Sequence, residues 1–236
     1  MEYQGKQLRH ELKYYINQGV YHTLRERFLH VMKPDENMTR EDGYLISSLY
    51  FDDIFHSALE QKISGTRFCK KYRIRVYEHS DELIKLECKY KFDCYISKDS
   101  AILSRDEYNS ILEGDYEFLI HRPETLCREF YAFHNSRLLK PVVVVEYTRE
   151  AYISDLGNVR LTFDKNIAAS FINVDIFSKD YSTIEVLPQK LIIFEVKYDD
   201  YIPSYIKSMI QSGMKNKCAI SKYVMCRKIN RSVKQL

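Results

Sequence analysis

The chain has 236 residues, a formal net charge of +3 at pH 7, and 45% hydrophobic and 29% charged residues. This balance provides enough apolar side chains for a sizeable core and excludes a disordered chain, while the small positive charge does not indicate a general nucleic-acid coat. With only 7 glycines and 5 prolines, the sequence favours strands and regular helices over long flexible loops. A chain of this length commonly forms one large domain, and we predict a single domain over residues 1–236.

Neither the hydropathy nor the cysteine spacing indicates a membrane or secreted protein. Apolar runs such as residues 142–145 and 191–194 are far shorter than the roughly 20 residues that a membrane-spanning helix needs. The first residues, MEYQGKQLRHELKYYI, lack the apolar segment of a signal peptide. The six cysteines form no CxxC pair and no zinc-type spacing, so we expect free thiols. Together these features predict a cytoplasmic protein without a membrane span.

Period-two and β-rich runs predict about eight strands. In chain order they cover residues 8–16, 44–51, 66–78, 82–95, 142–153, 158–165, 182–187 and 191–198. A closed barrel of about eight strands is just wide enough to be filled by side chains or to hold one narrow ligand. The number of strands therefore makes a barrel the first architecture to consider.

Helical patterns lie between these strands and begin at residues that cap or open helices. Ser104 and Glu107 have the spacing of a capping box, and Gly114 is a typical helix stop. The other predicted starts are Asn17, Asp53 or its neighbour, Pro123, Pro203 and Ser221. Several of these helices carry an apolar stripe, which needs a partner surface.

Charged residues recur at every second position in several strands, so the members of each set share a face. The sets are Arg9, Glu11 and Lys13; Lys71, Arg73, Arg75 and Tyr77; Lys85, Glu87, Lys89 and Lys91; Arg160, Thr162 and Asp164; and Glu195 with Lys197. A solvated outer face would explain any one set. The opposite faces are apolar or mixed, however, and the helices need a surface to cover. We therefore predict an α+β fold, an eight-stranded antiparallel β-barrel with helices packed on the outside and charged side chains in its lumen.

Cations that converge in a lumen need a compensating anion. Two positive charges about 6 Å apart repel by roughly 3 kcal/mol at an effective dielectric of about 20, so several of them would exceed the stability of a typical domain. A chain of phosphates would offset them, because the arginine guanidinium suits phosphate oxygens and lysine adds point charge. The interleaved carboxylates fit ligands of Mg²⁺ or Mn²⁺, which bridge carboxylate and phosphate oxygens.

Eight short motifs follow one another along the chain: ELK at 11–13, SLYFD at 48–52, KYRIR at 71–75, KLECK at 85–89, YTREAY at 147–152, VRLTFD at 159–164, FEVK at 194–197 and SKY at 221–223. In this order they resemble the vacuolar transporter chaperone (VTC) domain. This family is a polyphosphate-polymerase-like branch of the triphosphate tunnel metalloenzymes, also called CYTH-like, and the similarity runs from about residue 8 to 224. The adenylate-cyclase and thiamine-triphosphatase branch has two glutamates before the first lysine, whereas only Glu11 precedes Lys13 here, which favours the VTC branch.

The resemblance implies an eight-stranded triphosphate tunnel that binds a nucleoside triphosphate or polyphosphate with a divalent metal, Mn²⁺ or Mg²⁺. The catalytic cations that it implies by motif position are Lys13, Arg73, Arg75 and Arg160. The further phosphate-binding residues are Lys85 or Lys89, Arg149, Lys197 and Lys222. Glu195 is the chief implied metal ligand, with Glu11 and Glu87 as weaker candidates. Because Lys222 lies outside the strands, we expect it on a terminal helix that covers one mouth of the tunnel.

The leading hypothesis is a polyphosphate polymerase-like phosphotransferase, which moves the terminal phosphoryl group of a nucleoside triphosphate, ATP above all, onto a phosphate chain. Hydrolysis of tripolyphosphate or a nucleoside triphosphate in the same tunnel is an alternative, as are a non-catalytic polyphosphate-binding module and an RNA triphosphatase. The partners expected from the leading hypothesis are ATP and polyphosphate, with no nucleic acid. The sequence leaves the oligomeric state and the choice of metal open.

Overall fold

The computed structural model describes residues 2–3, 5–38, 40–93, 95–170, 175–188, 190–211 and 218–233. The long strands in this part of the chain are β1 (Arg9–Asn17), β2 (Tyr44–Asp52), β3 (Phe68–Tyr77), β4 (Ser80–Phe92), β5 (Tyr95–Leu103), β6 (Lys140–Ser154), β7 (Val159–Ser170) and β8 (Leu191–Tyr198). The α-helices are α1 (Gln18–Val31), α2 (Ser57–Ile63), α3 (Arg105–Glu113), α4 (Thr125–Arg137), α5 (Ser204–Gln211) and α6 (Lys222–Val233). Two 3₁₀ turns, Glu117–His121 and Leu156–Asn158, and two-residue strands at Glu2–Tyr3, Lys6–Gln7, Lys33–Pro34 and Ile184–Glu185 complete the elements.

The long strands close into an antiparallel barrel in the order β1-β5-β4-β3-β2-β6-β7-β8, with β8 pairing back to β1. The narrowest junction joins β1 to β5, where Arg9 pairs with Ile96 and His10 with Tyr95. The predicted fold class, an eight-stranded antiparallel barrel with helices outside, is confirmed. Because every strand has two neighbours, alternate side chains of all eight strands point into one shared lumen.

Two strands differ from the sequence prediction. The pattern predicts one strand over residues 82–95, but β4 ends at Phe92 and the chain turns at Asp93, whose φ of 56° is left-handed. β5 then returns beside β4 as a barrel strand that the pattern missed, because polar residues lie on both of its faces. The predicted strand at 182–187 pairs with β7 only through Ile184 and Glu185, outside the barrel ring.

The helices begin at or near the predicted caps. The side chain of Asn17 accepts a hydrogen bond at 2.9 Å from the backbone N–H three residues later. Ser104 and Glu107 form both hydrogen bonds of a capping box, and Gly114, with a φ of 92°, ends α3. α4 begins at Thr125, two residues after Pro123. Of the six cysteines, those in the described residues are free thiols, and Cys94 lies outside the described residues.

Most of the apolar core lies outside the barrel wall, between the strands and the helices. On one side, outward residues of β3 and β4, including Ile74 and Leu86, belong to the same buried cluster as Phe130 of α4. On the other side, Phe28 of α1 stacks on Phe163 of β7 with 5.8 Å between ring centroids. The helices therefore cover the apolar faces of the strands and leave the opposite faces to the lumen.

One end of the lumen is filled by a further apolar cluster. Inward side chains of β6 and β8, including Val145 and Ile193, share this cluster with Tyr223 and Cys226 of α6. α6 thus covers this end of the barrel, and the polar part of the lumen begins above it. Among the described helices, none has the length and hydropathy that crossing a bilayer requires.

A buried carboxylate fastens α1 to the outside of the barrel. Glu150 of β6 is fully buried and accepts hydrogen bonds from Arg25 Nε at 2.7 Å, Lys165 Nζ at 2.9 Å and the Tyr21 hydroxyl at 2.5 Å. Burial alone would raise the pKa of Glu150, but these donors lower it. Removing one partner from such a cluster is costly, because the remaining buried charges lose their compensation.

We predict that Glu150→Gln lowers the free energy of unfolding by about 3 kcal/mol, because Arg25 and Lys165 lose their buried counter-charge. Chemical denaturation followed by circular dichroism measures the change. Asp155→Asn is the matched control, since the Lys33–Asp155 pair is exposed and contributes little. Equal denaturation midpoints for Glu150→Gln and the wild-type protein would contradict this role.

Candidate functional site

A polar cavity of about 790 Å³ occupies the open part of the lumen. Side chains from all eight barrel strands and from the start of α6 form its wall, and lysines and arginines outnumber the carboxylates there by more than two to one. The predicted site residues that line it are Glu11, Lys13, Arg73, Arg75, Lys89, Arg149, Arg160, Glu195, Lys197 and Lys222. Lys85 and Glu87 were predicted from the same pattern, but the structure does not bring them to this wall.

Arg73 and Arg75 alternate on β3 and share one buried carboxylate. Glu87, directly opposite Arg73 on β4, accepts a hydrogen bond from Arg73 Nε at 2.7 Å and lies 3.8 Å from Arg75 Nη1. Its other oxygen accepts from Lys98 Nζ at 2.6 Å. Glu87 shares the inward face with Arg73, but Arg73 and Lys98 cover it, so it is fully buried and does not line the cavity.

Two tyrosines hold the free sides of these guanidinium groups. The hydroxyl of Tyr50 accepts from Arg73 Nη1 at 2.9 Å, and the hydroxyl of Tyr147 accepts from Arg75 Nη2 at 3.1 Å. Burial would raise the pKa of Tyr50, but Arg73 and Arg75 lower it below its ordinary value. With a carboxylate behind and a phenol beside it, each guanidinium is oriented before a ligand binds.

A second ionic network joins β6, β7, β8 and the first residue of α6. Arg149 donates two hydrogen bonds to Asp164, at 2.6 and 2.8 Å. Lys222 lies between Asp164 and Glu195, and its ammonium is 2.7 Å from a Glu195 oxygen. Burial would raise the pKa values of both carboxyls, but the neighbouring cations hold both below their ordinary values. Lys222 therefore reaches the lumen from the helix that covers one end of the barrel.

A third network surrounds Glu11 of β1. Glu11 accepts from Lys89 Nζ at 2.7 Å and lies 3.4 Å from Lys13 and 3.7 Å from Lys197. The ammonium of Lys13 also lies 3.1 Å from Glu195. Burial alone would lower the pKa of Lys13, but Glu11 and Glu195 raise it above its ordinary value. Each of these two carboxylates therefore compensates several lysines at once.

Arg160 lies apart from these networks and pairs with a residue that the sequence did not indicate. It donates to Asp35 at 2.9 Å and to the hydroxyl of Tyr44 at 3.1 Å. Asp35 follows the short strand Lys33–Pro34, where no periodic pattern marks an inward position. Asp164 was also missed as a site residue, although it shares the predicted charged face of β7 with Arg160 and could have been found from that pattern.

Lys71 is one of the cavity cations that have no carboxylate partner among the described residues. Within the described residues, no carboxylate oxygen lies within 4.0 Å of the Lys71 ammonium nitrogen, the distance limit for an ion pair. Burial and the nearby charge of Lys89 lower its pKa to about 7. Burial and Lys91 likewise lower the pKa of Lys62, on α2. This region of the cavity therefore carries positive charge that an anion would neutralise.

The sequence predicts that a bound polyanion offsets the charge of the converging cations, and the lumen differs from this prediction. Much of the compensation comes from carboxylates of the chain itself, chiefly Glu11, Glu87, Asp164 and Glu195. Three of these, Glu11, Glu87 and Glu195, were predicted only as metal ligands, and Asp164 was given no role. A phosphate chain would exchange with resident carboxylates at several of these cations.

The carboxylates at the wall fit a divalent cation of the magnesium type. Within the part of the chain that the structure describes, no cluster of three or more His, Cys, Asp or Glu side chains is arranged to hold a metal. Mg²⁺ is typically held by one or two carboxylates together with phosphate oxygens and water, and hard cations such as Mn²⁺ use the same ligands. Glu195 and Glu11 lie at the cavity wall and could serve as such ligands if a metal ion displaced the lysines that contact them, whereas Glu87 does not line the cavity.

A family model described as the VTC domain matches residues 8–230 of the sequence. The chain belongs to the VTC domain family. The match spans every strand of the barrel and most of α6, so the resemblance of the ordered motifs is confirmed. Comparison of this VTC-domain chain with curated proteins found no match.

Solved structures resemble the VTC-domain chain at low sequence identity. A candidate adenylate cyclase from Bacillus halodurans has a TM-score of 0.50 at 16% identity, over 89% of each chain. The Mediator head module of Schizosaccharomyces pombe has a TM-score of 0.51 at 8% identity, over 89% of this chain and 98% of that chain. The Mimivirus capping-enzyme triphosphatase matches at 12% identity over 89% of this chain and 88% of that chain. Its TM-score of 0.41 is too low to support an argument. The first two likenesses show the fold alone.

We predict that anion binding to this VTC-domain chain is linked to protonation of Lys71. The pKa of Lys71 is about 7 in the free protein. Bound tripolyphosphate would raise this pKa, so binding takes up a proton above about pH 7 and weakens as the pH rises further. Isothermal titration calorimetry at about pH 8, in two buffers of different ionisation enthalpy, measures the uptake.

Lys71→Arg is the control for this measurement, because arginine stays charged and the protonation of the ligand itself is unchanged. The variant should bind tripolyphosphate with less proton uptake than the wild-type protein. Equal uptake by the two proteins would contradict the assignment to Lys71.

Proposed function

We propose that this chain is a polyphosphate polymerase-like phosphotransferase, which moves the terminal phosphoryl group of ATP or another nucleoside triphosphate onto a phosphate chain. The observation that best supports this function is the convergence of Arg73, Arg75, Arg149 and Lys13 on one cavity, with Lys71 left uncompensated. A phosphate chain presents anionic oxygens at regular intervals, so it can contact cations that come from different strands.

Phosphoryl transfer depends mainly on positioning and on neutralising the charge of the transferred group. Arg73 and Arg75 would bind the oxygens of the terminal phosphates through their planar forks. Glu87, Tyr50 and Tyr147 already orient the two guanidinium groups, so little reorganisation is needed during the reaction. Lys13 of β1 and Arg160 of β7 would add positive charge from other parts of the wall.

Glu195, supported by Glu11, would hold a divalent metal ion, Mg²⁺ or Mn²⁺, at the cavity wall. When bound, such an ion neutralises charge on the phosphates and polarises their oxygens. Lys13 and Lys222 now contact one oxygen of Glu195, Oε1, at 3.1 and 2.7 Å. Both lysines would be released to bind phosphate oxygens.

Transfer to a chain is favoured over hydrolysis by the extent of the basic surface. Lys62, Lys71 and Lys91 line the cavity in addition to the arginines. They would hold a second anion, the acceptor phosphate or phosphate chain, beside the terminal phosphoryl group. Water as the acceptor would need no such site, so hydrolysis of a nucleoside triphosphate or tripolyphosphate is the weaker candidate.

The protein incubated with ATP and Mn²⁺ is expected to form phosphate chains longer than the substrate. Gel electrophoresis resolves the chains, and a colorimetric assay measures released orthophosphate. Orthophosphate as the sole product would identify a hydrolase. Tight polyphosphate binding without turnover under any divalent metal would identify a non-catalytic binding module.

The double variant Arg73→Ala and Arg75→Ala should weaken tripolyphosphate binding by about 100-fold or more, because two charge-assisted forks are lost. Titration calorimetry measures the affinity. Arg122→Ala is the matched control, since Arg122 lies outside the cavity and pairs with Glu107 at 2.8 Å.

The double variant leaves Glu87 buried without its main counter-charges, so its fold is checked by circular dichroism. Adding Glu87→Gln removes this imbalance and gives a second variant without the two arginines. Unchanged tripolyphosphate affinity in both variants would refute the assigned phosphate site.

A further inference from the structure

The lysines of the lumen differ in whether a carboxylate holds their nitrogen. Lys89 donates to Glu11 at 2.7 Å, and Lys222 contacts Glu195 at the same distance. Lys71 has neither a carboxylate partner nor a hydrogen-bond acceptor among the described residues. Its amine therefore has no role in the resident ionic networks.

The Lys71 nitrogen is within reach of a small molecule in the lumen. The side chain lines the cavity of about 790 Å³ and is only half-buried. Its nitrogen is not among the unpaired polar atoms of the described residues that are closed off from solvent. The nearest aromatic ring, that of Tyr223 on α6, has its centroid 6.0 Å from this nitrogen. A ligand in the cavity can therefore contact the amine.

The surroundings of Lys71 favour the neutral amine over the ammonium form. Lys89 lies directly opposite on β4. Burial and the charge of Lys89 lower the pKa of Lys71 to about 7, and Lys13 and Lys62 act in the same direction, against the Cys69 thiol. An ordinary lysine, with a pKa of about 10.4, is only about 0.1% neutral near pH 7.4. Lys71 is mostly neutral there, and a lysine beside other cations is activated as a nucleophile in this way.

Other lysines of the cavity lack one of these features. Burial also lowers the pKa values of Lys89 and Lys197, but their nitrogens lie 2.7 and 3.7 Å from carboxylate oxygens, which favour the ammonium form. Burial lowers the pKa of Lys62 as well, but this residue projects from α2. Lys71 instead shares the inward face of β3 with Arg73.

The cations beside Lys71 determine which electrophile can reach it. Arg73 follows two residues later on the same face, and such neighbours are about 7 Å apart. Arg73 and Lys89 can hold a phosphate group by charge-assisted hydrogen bonds. A carbonyl carbon that is joined to this phosphate through one oxygen then comes close to the Lys71 nitrogen. Acyl phosphates have this structure.

We propose that Lys71 is a modification site, at which acyl phosphates acylate the lumen of the barrel. The Lys71 nitrogen attacks the carbonyl carbon, a C–N bond forms, and the bond between that carbon and the bridging oxygen breaks. Inorganic phosphate leaves with the bonding electron pair and takes up the proton that the amine loses. The products are an N-acyl lysine and hydrogen phosphate.

Acylation would regulate the lumen, because the amide carries no charge. It removes one cation from the wall and lowers the affinity for a phosphate chain. This inference rests on the proposed function in one respect, the binding of phosphate groups in the lumen, and it does not depend on phosphoryl transfer.

The test treats the full chain with acetyl phosphate at about pH 7.4 and maps acetyl-lysine by peptide mass spectrometry. Lys71 should be acetylated about tenfold faster, or more, than Lys33, whose side chain is 76% exposed. An excess of tripolyphosphate should protect Lys71. The control reagent is p-nitrophenyl acetate, which carries no phosphate and should show a smaller preference for Lys71.

Two further measurements connect the modification to the amine. The rate at Lys71 should level off above about pH 7, whereas ordinary exposed lysines react faster up to about pH 10. Acetylation should weaken tripolyphosphate binding by the wild-type protein about tenfold, because a charged donor is lost. Lys71→Arg keeps the charge without the nucleophile, so the same treatment should leave its affinity unchanged. An unchanged affinity of the acetylated wild-type protein would refute the regulatory effect.

Acetylation centred on Lys71 and blocked by tripolyphosphate supports the proposal. A protein that binds tripolyphosphate but is acetylated mainly at other lysines overturns it and leaves the proposed function standing. An equal preference for Lys71 with both reagents also overturns it, because the phosphate group would then not direct the reaction. A wild-type protein that does not bind tripolyphosphate refutes the proposed function and this inference together.

Discussion

The arrangement of the lumen depends on the pairing of charged side chains that are largely buried from solvent. Arginines and lysines from separate strands would repel one another strongly at the low effective dielectric of a barrel interior. Glu87, Asp164 and Glu195 reduce this repulsion, because each contacts at least two cations. The barrel can therefore hold its cations close together, and in fixed orientations, before any anion is bound.

The same pairs govern how a ligand would bind. A phosphate group that reaches Arg149 or Lys13 competes with carboxylates that already form short contacts with them. The free energy gained on binding is therefore the difference between the cation–phosphate and the cation–carboxylate interactions. Arg73 and Lys98 cover Glu87, which does not line the cavity, whereas Glu195 lies at the cavity wall, where the proposed metal ion would displace its lysines. Lys71 has no such competitor. On the proposed function, the cavity combines donors held in advance with cations that are released when substrate and metal arrive.

Charge inside the barrel requires that most of the apolar core lie outside it, and the helices complete that core. α1 and α4 cover opposite groups of strands, while α6 closes one end of the lumen and also supplies Lys222 to the ionic network. A single helix, α6, thus contributes both to the apolar packing at this end of the barrel and to the electrostatics of the site. The fold by itself does not determine chemistry, since candidate adenylate cyclase and Mediator head module structures both resemble it.

The barrel and most of its charged wall could be predicted from the sequence, because strand geometry places alternate residues on one face over a short range. That rule brought Arg73, Arg75 and Lys13 together correctly, but it missed β5, where polar residues lie on both faces. It also treated Glu87 and Lys89 alike, since both share the inward face of β4, but Arg73 and Lys98 cover Glu87, whereas Lys89 lines the cavity. The contacts of Asp35 with Arg160 and of Tyr21 with Glu150 had no local signal at all. They are formed by loops and helices docked from distant parts of the chain, and only long-range packing and strand register decide such contacts.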